Sequence, residues 1–303
     1  MKATLALSLR PSLNGAKRIP LGLVVAAIFL HPSTTAQITV PYGDAYNFAI
    51  LAHTTITDAG GSQVVTASPS YEANVGVYPG SSITGLLPSQ VPDGTIYRAG
   101  TGSDPLLISA SNAASHAFDV AMGETPFTLE PAQLGGLTLV PGVYRLPDTA
   151  TLTGTLWLDA HGVVDPVWIF QATSSLITAA GAPGAPGSSV SFLNAGVPCD
   201  VLWAVPTQAT IGTYSDFVGT IIAGTSIVVN TGAELDGRAW ALTGEVTLDH
   251  NTITGLPCTE LNGDTGGTTP PAGVPDSGST LLLLATGLAT LLGLGRWFRS
   301  LVF

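Results

Sequence analysis

Positively charged residues are nearly absent from the central part of this chain. All of the acidic residues lie between Asp44 and Asp276, and in that stretch only Arg98, Arg145 and Arg238 are basic. A lysine-free acidic surface repels phosphate backbones and anionic lipid headgroups. We therefore expect no nucleic-acid partner, and the partner must be neutral, cationic or water itself.

Good helix-forming sequence and metal-ligand patterns are also scarce. Gly, Thr, Ser, Val and Ala dominate the middle of the chain, which favours β-structure with many tight turns. One segment, about 104–122, has an apolar stripe at helical spacing, with Ser103 as a candidate N-cap. The histidines lie at unrelated spacings, so neither a metal site nor another cofactor is expected.

The N-terminus has the pattern of a secretory signal peptide (1–36). A basic pair precedes an apolar run at 19–30, and small residues follow up to Ala36. The run of about 12 residues is too short for a bilayer, which needs roughly 20. We expect cleavage after Ala36, export, and a mature protein that begins at Gln37.

The C-terminus has a processing pattern of its own. A Gly/Thr/Pro-rich linker (261–273) follows the expected main domain (37–260) and leads to a final segment (274–303). That segment contains Val-Pro-Asp-Ser-Gly, then an apolar stretch, then two arginines, and it resembles the sorting tails that exosortases process. The resemblance implies delivery to the cell surface or extracellular matrix. The apolar stretch fits either a short transmembrane anchor or a transient one.

Apolar residues in the second half of the chain recur at a period of roughly 18 residues, which is typical of a solenoid. Three columns carry the repeat: Ile169, Trp203, Ile222 and Trp240; Phe217, Leu235 and Ile253; and Leu176, Ile211, Ile227 and Val246. Three columns at one period predict a mostly β fold, a triangular β-solenoid. A β-sandwich with regular turns would not keep such residues in register.

Alternation along the strands distinguishes two of the three sides. The side that contains 201–204 and 220–223 is apolar on both faces, so it needs a cover, and the predicted helix is the candidate. A second side carries Asp216, Glu234 and Asp236 outward and is a solvated acidic face.

The third side is flat, small and weakly polar. Its outward residues are Ser175, Ile177, Thr210, Gly212, Ser226, Val228, Glu245 and Thr247. Two earlier segments, Thr55-Ile56-Thr57 and Thr151-Leu152-Thr153, could continue it. Any single threonine is explained by β-propensity, so the ordered set carries the signal.

Cys199 and Cys258 are the only cysteines. An even pair in an exported protein permits a disulfide. The predicted solenoid separates them by about 14 Å, whereas a disulfide needs Cα atoms within about 7 Å. Only a fold-back of the stretch from Gly255 to Cys258 closes that gap, and pairing stays a hypothesis.

Several sequence blocks resemble the microbial ice-binding protein family over about Tyr46 to Cys258. They include Phe48-Ala49-Ile50-Leu51-Ala52, Gly76-Val77-Tyr78-Pro79-Gly80, Pro141-Gly142-Val143-Tyr144, Phe217-Val218-Gly219-Thr220-Ile221 and Gly237-Arg238-Ala239. The resemblance implies a right-handed β-solenoid with one long helix packed along one side. It also implies a non-catalytic monomer whose partner is the ice lattice.

The family's small-threonine pattern places the ice-binding face on the third side. The expected residues are Thr55, Thr57, Thr151, Thr153, Ser175, Thr210, Gly212, Ser226, Val228 and Thr247. Val228 and Ile177 stand where threonine is common, and Glu245 adds a hydrated charge. A tyrosine at Gly212 or Ser226 is expected to block contact with ice and to leave the fold intact.

Two other functions compete with this reading. Asp216, Glu234 and Asp236 form a carboxylate cluster of the kind used by polysaccharide-cleaving β-helix enzymes. However, Arg238 is the only nearby base and no loop is long enough to wall a cleft, so no catalysis is expected. A cell-surface or matrix protein with a structural or adhesive role, without ice activity, is the main alternative.

Overall fold

The computed structural model describes residues 38–129 and 132–261. The predicted signal peptide, the sorting tail and all but the first residue of the predicted linker lie outside the described residues. That first residue, Leu261, ends a short strand.

The described chain consists of short strands and one α-helix, α1 (Asp104–Gly123). The strands are β1 (Val40–Pro41), β2 (Phe48–Ala52), β3 (Thr55–Asp58), β4 (Gln63–Thr66), β5 (Asn74–Val77), β6 (Ser82–Thr84), β7 (Ile96–Arg98), β8 (Phe127–Thr128), β9 (Thr138–Leu139), β10 (Gly142–Leu146), β11 (Ala150–Leu152), β12 (Thr155–Asp159), β13 (Trp168–Ala172), β14 (Leu176–Thr178), β15 (Ser189–Leu193), β16 (Val201–Val205), β17 (Ala209–Ile211), β18 (Asp216–Ala223), β19 (Ile227–Val229), β20 (Glu234–Ala241), β21 (Val246–Leu248), β22 (Thr252–Gly255) and β23 (Glu260–Leu261). Three 3-10 helices span Gly43–Asn47, Pro88–Gln90 and Pro198–Asp200.

The strands stack in parallel on three sides, as the sequence predicts for a β-solenoid. The helix-covered side has the order β7-β5-β2-β20-β18-β16-β13-β10-β8. The acidic side runs from β9 through β12, β15, β18, β20 and β22 to β4. The third sheet, which we call the small-residue side, has the order β11-β14-β17-β19-β21-β3-β6.

Strands β18 and β20 turn the corner between the acidic and helix-covered sides without a break. Gly219 lies at this corner with φ +105, a conformation that residues with a Cβ rarely adopt. A Cβ on Gly219 would also lie 2.6 Å from the carbonyl oxygen of Val201 on the next rung. The corner therefore requires glycine.

The N-terminal coils stack on the last coil of the chain, so the order of strands is not the order of the sequence. β3 pairs with β21, and β2 pairs with β20. The chain must then return from β7, at one end of the stack, to β8 at the other. Helix α1 makes this return, because its 20 residues span about 30 Å at 1.5 Å per residue.

Helix α1 covers the doubly apolar side, as predicted. Its buried stripe packs against the outward residues of that side, which include Leu202, Ile222 and Trp240. The helical members are Leu107, Ala110, Ala114, Ala117 and Ala121, with Phe118 partly buried. Ser103 is the N-cap residue, but its hydroxyl makes no capping hydrogen bond. No helix within the described residues is long and apolar enough to span a membrane.

The solenoid interior contains a continuous aromatic stack. The ring of Trp203 stacks on Phe170 with centroids 4.1 Å apart. Trp240 instead lies opposite Ile222 and faces α1. The predicted column of Ile169, Trp203, Ile222 and Trp240 is therefore wrong, since it mixes an inward row with an outward row. Both faces of these strands are apolar, so alternation could not separate the rows.

The other two predicted columns agree more closely with the strand registers. The second is confirmed by the register of Phe217, Leu235 and Ile253. In the third, Ile211 is wrong, because Leu176 lies opposite Ala209. Ala209 and Ile211 both point inward from β17, so apolar spacing alone does not decide which of them continues the column.

The end of the described chain folds back along the solenoid. Cys199 and Cys258 form a disulfide with a Cα–Cα distance of 5.7 Å. Arg238 is fully buried and donates hydrogen bonds to the carbonyl oxygens of Leu256 and Cys258. β23 then pairs antiparallel with β1, so the first and last described strands close the domain together.

Candidate functional site

One row of side chains runs along the small-residue side, with one member on each of its seven strands. The strand registers place these residues directly opposite one another, and we call the row the threonine column. In order, it consists of Thr151, Ile177, Thr210, Val228, Thr247, Thr57 and Thr84. Every member is β-branched, and neighbouring rungs lie about 4.8 Å apart. The column is therefore a regular line of methyl groups, most of them paired with a hydroxyl.

The interior holds this column flat. On every strand of this side except β6, the residues before and after the column member point inward, as with Ile56 and Asp58 around Thr57. Ile56, Ile227 and Val246 are fully buried. A close-packed interior resists local deformation, so the outward methyl and hydroxyl groups keep their spacing.

A second row lies two residues before each member of the threonine column, at or just before the start of the strand, and we call it the edge column. It consists of Thr149, Ser175, Gln208, Ser226, Glu245, Thr55 and Ser82. Backbone N–H groups donate across the rungs to the carbonyl oxygens of Ser175, Gln208, Ser226 and Glu245, which fixes their order. The two columns together form a two-row surface in which Glu245 is the one charged residue.

Hydroxyl groups on this surface are partly fixed by neighbours. The hydroxyls of Ser175 and Thr207 lie 2.8 Å apart. The Gln208 amide donates to the Thr210 hydroxyl at 3.0 Å, and the Thr55 hydroxyl donates to Glu245 at 3.1 Å. Such bonds orient the groups that face water.

Most of the residues expected at the site lie on this surface. The threonine column contains Thr57, Thr151, Thr210, Val228 and Thr247, and the edge column contains Thr55, Ser175 and Ser226. Thr153 is exposed just beyond the end of β11, where its backbone N–H donates to the Gln133 side chain.

Gly212 does not lie on the exposed surface. It is buried past the end of β17, and its N–H donates to the Thr178 hydroxyl at 2.7 Å. A Cβ there would lie 2.6 Å from the Thr178 carbonyl oxygen. The expectation that Gly212→Tyr leaves the fold intact is therefore wrong. Thr210 pairs with Gln208, not with Gly212, in the two-row pattern.

Sequence reasoning missed four members of the surface: Thr84, Ser82, Gln208 and Thr149. Ser82-Ile83-Thr84 has the same polar-apolar-polar alternation as Thr55-Ile56-Thr57, to which it is paired. That alternation was the signal that could have found it. β6 lies far from the repeating coils in sequence, and its place at the end of the sheet follows only from the stacking of the N-terminal coils.

The other two sides have different surfaces. Helix α1 covers one of them. On the acidic side, Asp216 lies opposite Glu234, Val218 lies opposite Asp236, and all three carboxylates are exposed. Trp157 and Leu193 also protrude from this side, each 37% exposed. The side chains on the acidic side therefore differ in size, and three of those named here are carboxylates.

The described residues lack the parts of a metal centre. No group of three His, Cys, Asp or Glu side chains between residues 38 and 129 or 132 and 261 could hold a metal ion. The carboxylates Asp216, Glu234 and Asp236 lie on an open sheet surface, and Arg238, the base nearest in sequence, is fully buried.

A parallel β-solenoid with a covering helix and one side of β-branched residues in register defines a class of proteins that present a regular surface. The chain belongs to the Ice-binding-like family, whose sequence profile matches residues 50–254.

Curated relatives and solved structures agree with this assignment. An ice-binding protein from Nostoc sp. (strain HG1) is 34% identical over 281 residues, which cover 92% of this chain and 95% of the relative. An ice-binding protein from Colwellia sp. is 29% identical, and the aligned region covers 80% of this chain and 94% of that relative. The crystal structure of an ice-binding protein from an Antarctic biological consortium has a TM-score of 0.62 and 30% identity, and covers 73% of this chain and 93% of that one. The structure of an ice-binding protein from an Arctic yeast has a TM-score of 0.63 and 26% identity. The alignment covers 78% of this chain and 98% of that one.

Proposed function

We propose that this protein binds ice through the small-residue side, and that it does so without catalysis. The observation that carries the proposal is the threonine column, in which seven successive strands present a β-branched residue in register. The covered side is blocked by α1, and the acidic side is charged and uneven. Only the small-residue side combines exposure, flatness and regular spacing.

The physical requirement for adsorption is a fixed pattern of methyl and hydroxyl groups. Methyl groups favour ordered water around them, and hydroxyl groups can take positions in a hydrogen-bonded lattice. Individual contacts of this kind are weak, so several rungs must act together. A rigid solenoid provides this because the spacing of its rungs is set by the backbone hydrogen bonds.

The relatives support this choice over a structural or adhesive role. Proteins from Nostoc sp. and Colwellia sp. that align along nearly their whole length are named ice-binding proteins. The solved neighbour from Arctic yeast is described as having antifreeze activity. A surface-structural protein without ice activity is the second candidate, and Glu245 and Ile177 are the residues that favour it.

We further propose that the protein is exported and works as a monomer outside the cell. The signal-peptide pattern of 1–36 and the exosortase-type tail at 274–303 support this location. Intact-mass measurement of native protein would test both cuts, and retention of either segment would contradict that half of the proposal. Size-exclusion chromatography of the purified protein tests the oligomeric state.

The function is tested by measuring thermal hysteresis and ice recrystallisation with purified protein. We expect either a depressed freezing point or arrested growth of ice grains, at concentrations where an inert protein of similar size has no effect. Absence of both effects would contradict ice binding and favour the surface-structural role.

A further inference from the structure

The outward surface of the small-residue side, formed by the threonine column and the edge column, has one charged side chain, and it lies within the edge column. Glu245 is exposed, and its rung lies between those of Ser226 and Thr55. Apart from Gln208, the other edge residues are serine or threonine. Glu245 therefore replaces a short hydroxyl side chain by a longer, ionised one.

Both neighbouring hydroxyls are engaged by this residue. The Thr55 hydroxyl donates to the Glu245 carboxylate at 3.1 Å. On the other side, the backbone N–H of Glu245 donates to the Ser226 hydroxyl at 3.3 Å. The carboxylate of Glu245 thus links two consecutive rungs of the edge column, whereas the bond to Ser226 comes from the backbone and does not depend on the side chain at position 245.

We infer that Glu245 limits the strength with which this surface adsorbs to ice. The inference rests on the proposed function. An ionised carboxylate accepts several hydrogen bonds from water and organises its own hydration shell. Ice fixes the orientation of each water molecule, so docking removes that shell, and removing water from an unpaired charge is unfavourable.

The two departures from threonine within the threonine column have a weaker effect. Val228 has the shape of threonine with a methyl in place of the hydroxyl, and Ile177 extends by one further carbon. Both are uncharged and keep a β-branched methyl in the threonine column. Neither residue carries a hydration shell that ice must displace.

The test compares thermal hysteresis of the wild type with that of Glu245→Ser and Glu245→Gln. Serine restores the small hydroxyl that Ser226 supplies one rung away, and we expect a severalfold rise in activity. Glutamine removes the charge but keeps the length, so its activity should lie between the two. Glu234→Ser and Glu234→Gln remove an exposed carboxylate from the acidic side and should leave activity at the wild-type level.

The outcomes separate this inference from the proposed function. If the wild type is active and Glu245→Ser is no more active, the inference is overturned and ice binding stands. If the wild type is inactive and Glu245→Ser gains activity, the effect of Glu245 on adsorption is supported, whereas the proposed function fails for the wild type. If neither protein affects ice, the proposed function fails and the inference fails with it. Equal unfolding temperatures for all five proteins would exclude a change in the fold.

Discussion

Thr57 and Thr247 lie directly opposite one another on neighbouring strands, although one belongs to the first coil of the domain and the other to the last. The same junction joins Thr55 to Glu245 by a hydrogen bond. The small-residue side is therefore continuous across a break in chain order. Two rungs from the N-terminal region extend the surface made by the later coils.

Removal of the disulfide is expected to destabilise the domain. The bond joins Cys199 to Cys258, which are 59 residues apart, and closing a loop of that size stabilises the fold by about 4 kcal/mol in the chain-entropy model. Cys258→Ser should lower the free energy of unfolding by an amount of this order, as measured by denaturant titration. Unchanged stability after reduction or substitution would contradict the structure at this point.

Arg238 is expected to be essential for the closure of the domain. Its guanidinium is fully buried, lies 5.2 Å from the Tyr42 ring, and donates to the carbonyl oxygens of Leu256 and Cys258. Arg238→Met leaves both acceptors unpaired, so we expect a loss of about 3 kcal/mol or more. Arg98→Met, at a partly exposed position, is the control and should change stability little. Equal losses of unfolding free energy in the two variants would contradict this role of Arg238.

Stability should increase on mild acidification because of Asp200. Burial raises the pKa of this carboxyl from 3.8 to about 6, while the Val197 N–H lowers it and Asp165 raises it. The protonated form is therefore favoured in the folded state. This contribution is fully present below about pH 4 and is lost as the pH rises through about 6.

The matched variant for this pH dependence is Asp200→Asn, which keeps an acceptor for the Val197 N–H and cannot ionise. Its free energy of unfolding should vary less between pH 5 and pH 7 than that of the wild type, as checked by denaturant titration at each pH. Hydrogen bonds lower the pKa of Asp159 and Asp249, so their contributions are lost only at stronger acidity. A wild type that loses stability between pH 7 and pH 5 would contradict the assignment to Asp200.

Gly212 provides a test of the geometry beneath the surface. A Cβ at this position would lie 2.6 Å from the Thr178 carbonyl oxygen and 2.7 Å from the Ala179 carbonyl carbon. Gly212→Ala should cost about 1–3 kcal/mol of stability, measured by thermal unfolding. Thr210→Ala, two residues earlier on the exposed column, should cost less than Gly212→Ala. The reverse order would place Gly212 on the surface after all.

The architecture could be predicted from the sequence more accurately than the strand registers could. The recurrence of Phe217, Leu235 and Ile253 was enough for a solenoid, and the spacing of Leu107 and Ala114 was enough for the covering helix. The inward row of Trp203 cannot be predicted from the sequence, because residues on both faces of its strand are apolar, and this removes the contrast that alternation needs. Register across a junction such as Thr57 and Thr247 has no local sequence signal.

Part of the candidate surface could be predicted from the sequence, because alternation of polar and apolar residues marks the outward threonines. Thr57, Thr210 and Thr247 stand out because an inward apolar residue flanks each of them. The small size of Gly212 suggests an exposed flat surface, but in the structure it reflects close backbone contact with the neighbouring rung. Small residues serve both exposed flat surfaces and buried turns, and only the structure separates the two uses.

The most direct test of the account is the ice activity of Thr210→Tyr, Ser226→Tyr and Glu234→Tyr beside the wild type. The first two place a ring on the small-residue side, where it should stand above the neighbouring rungs, while Glu234→Tyr places it on the acidic side. We expect thermal hysteresis to be largely lost in Thr210→Tyr and Ser226→Tyr and to be retained in Glu234→Tyr, with all three variants folded. Full activity in the first two and loss in the third would show that ice binds the acidic side instead.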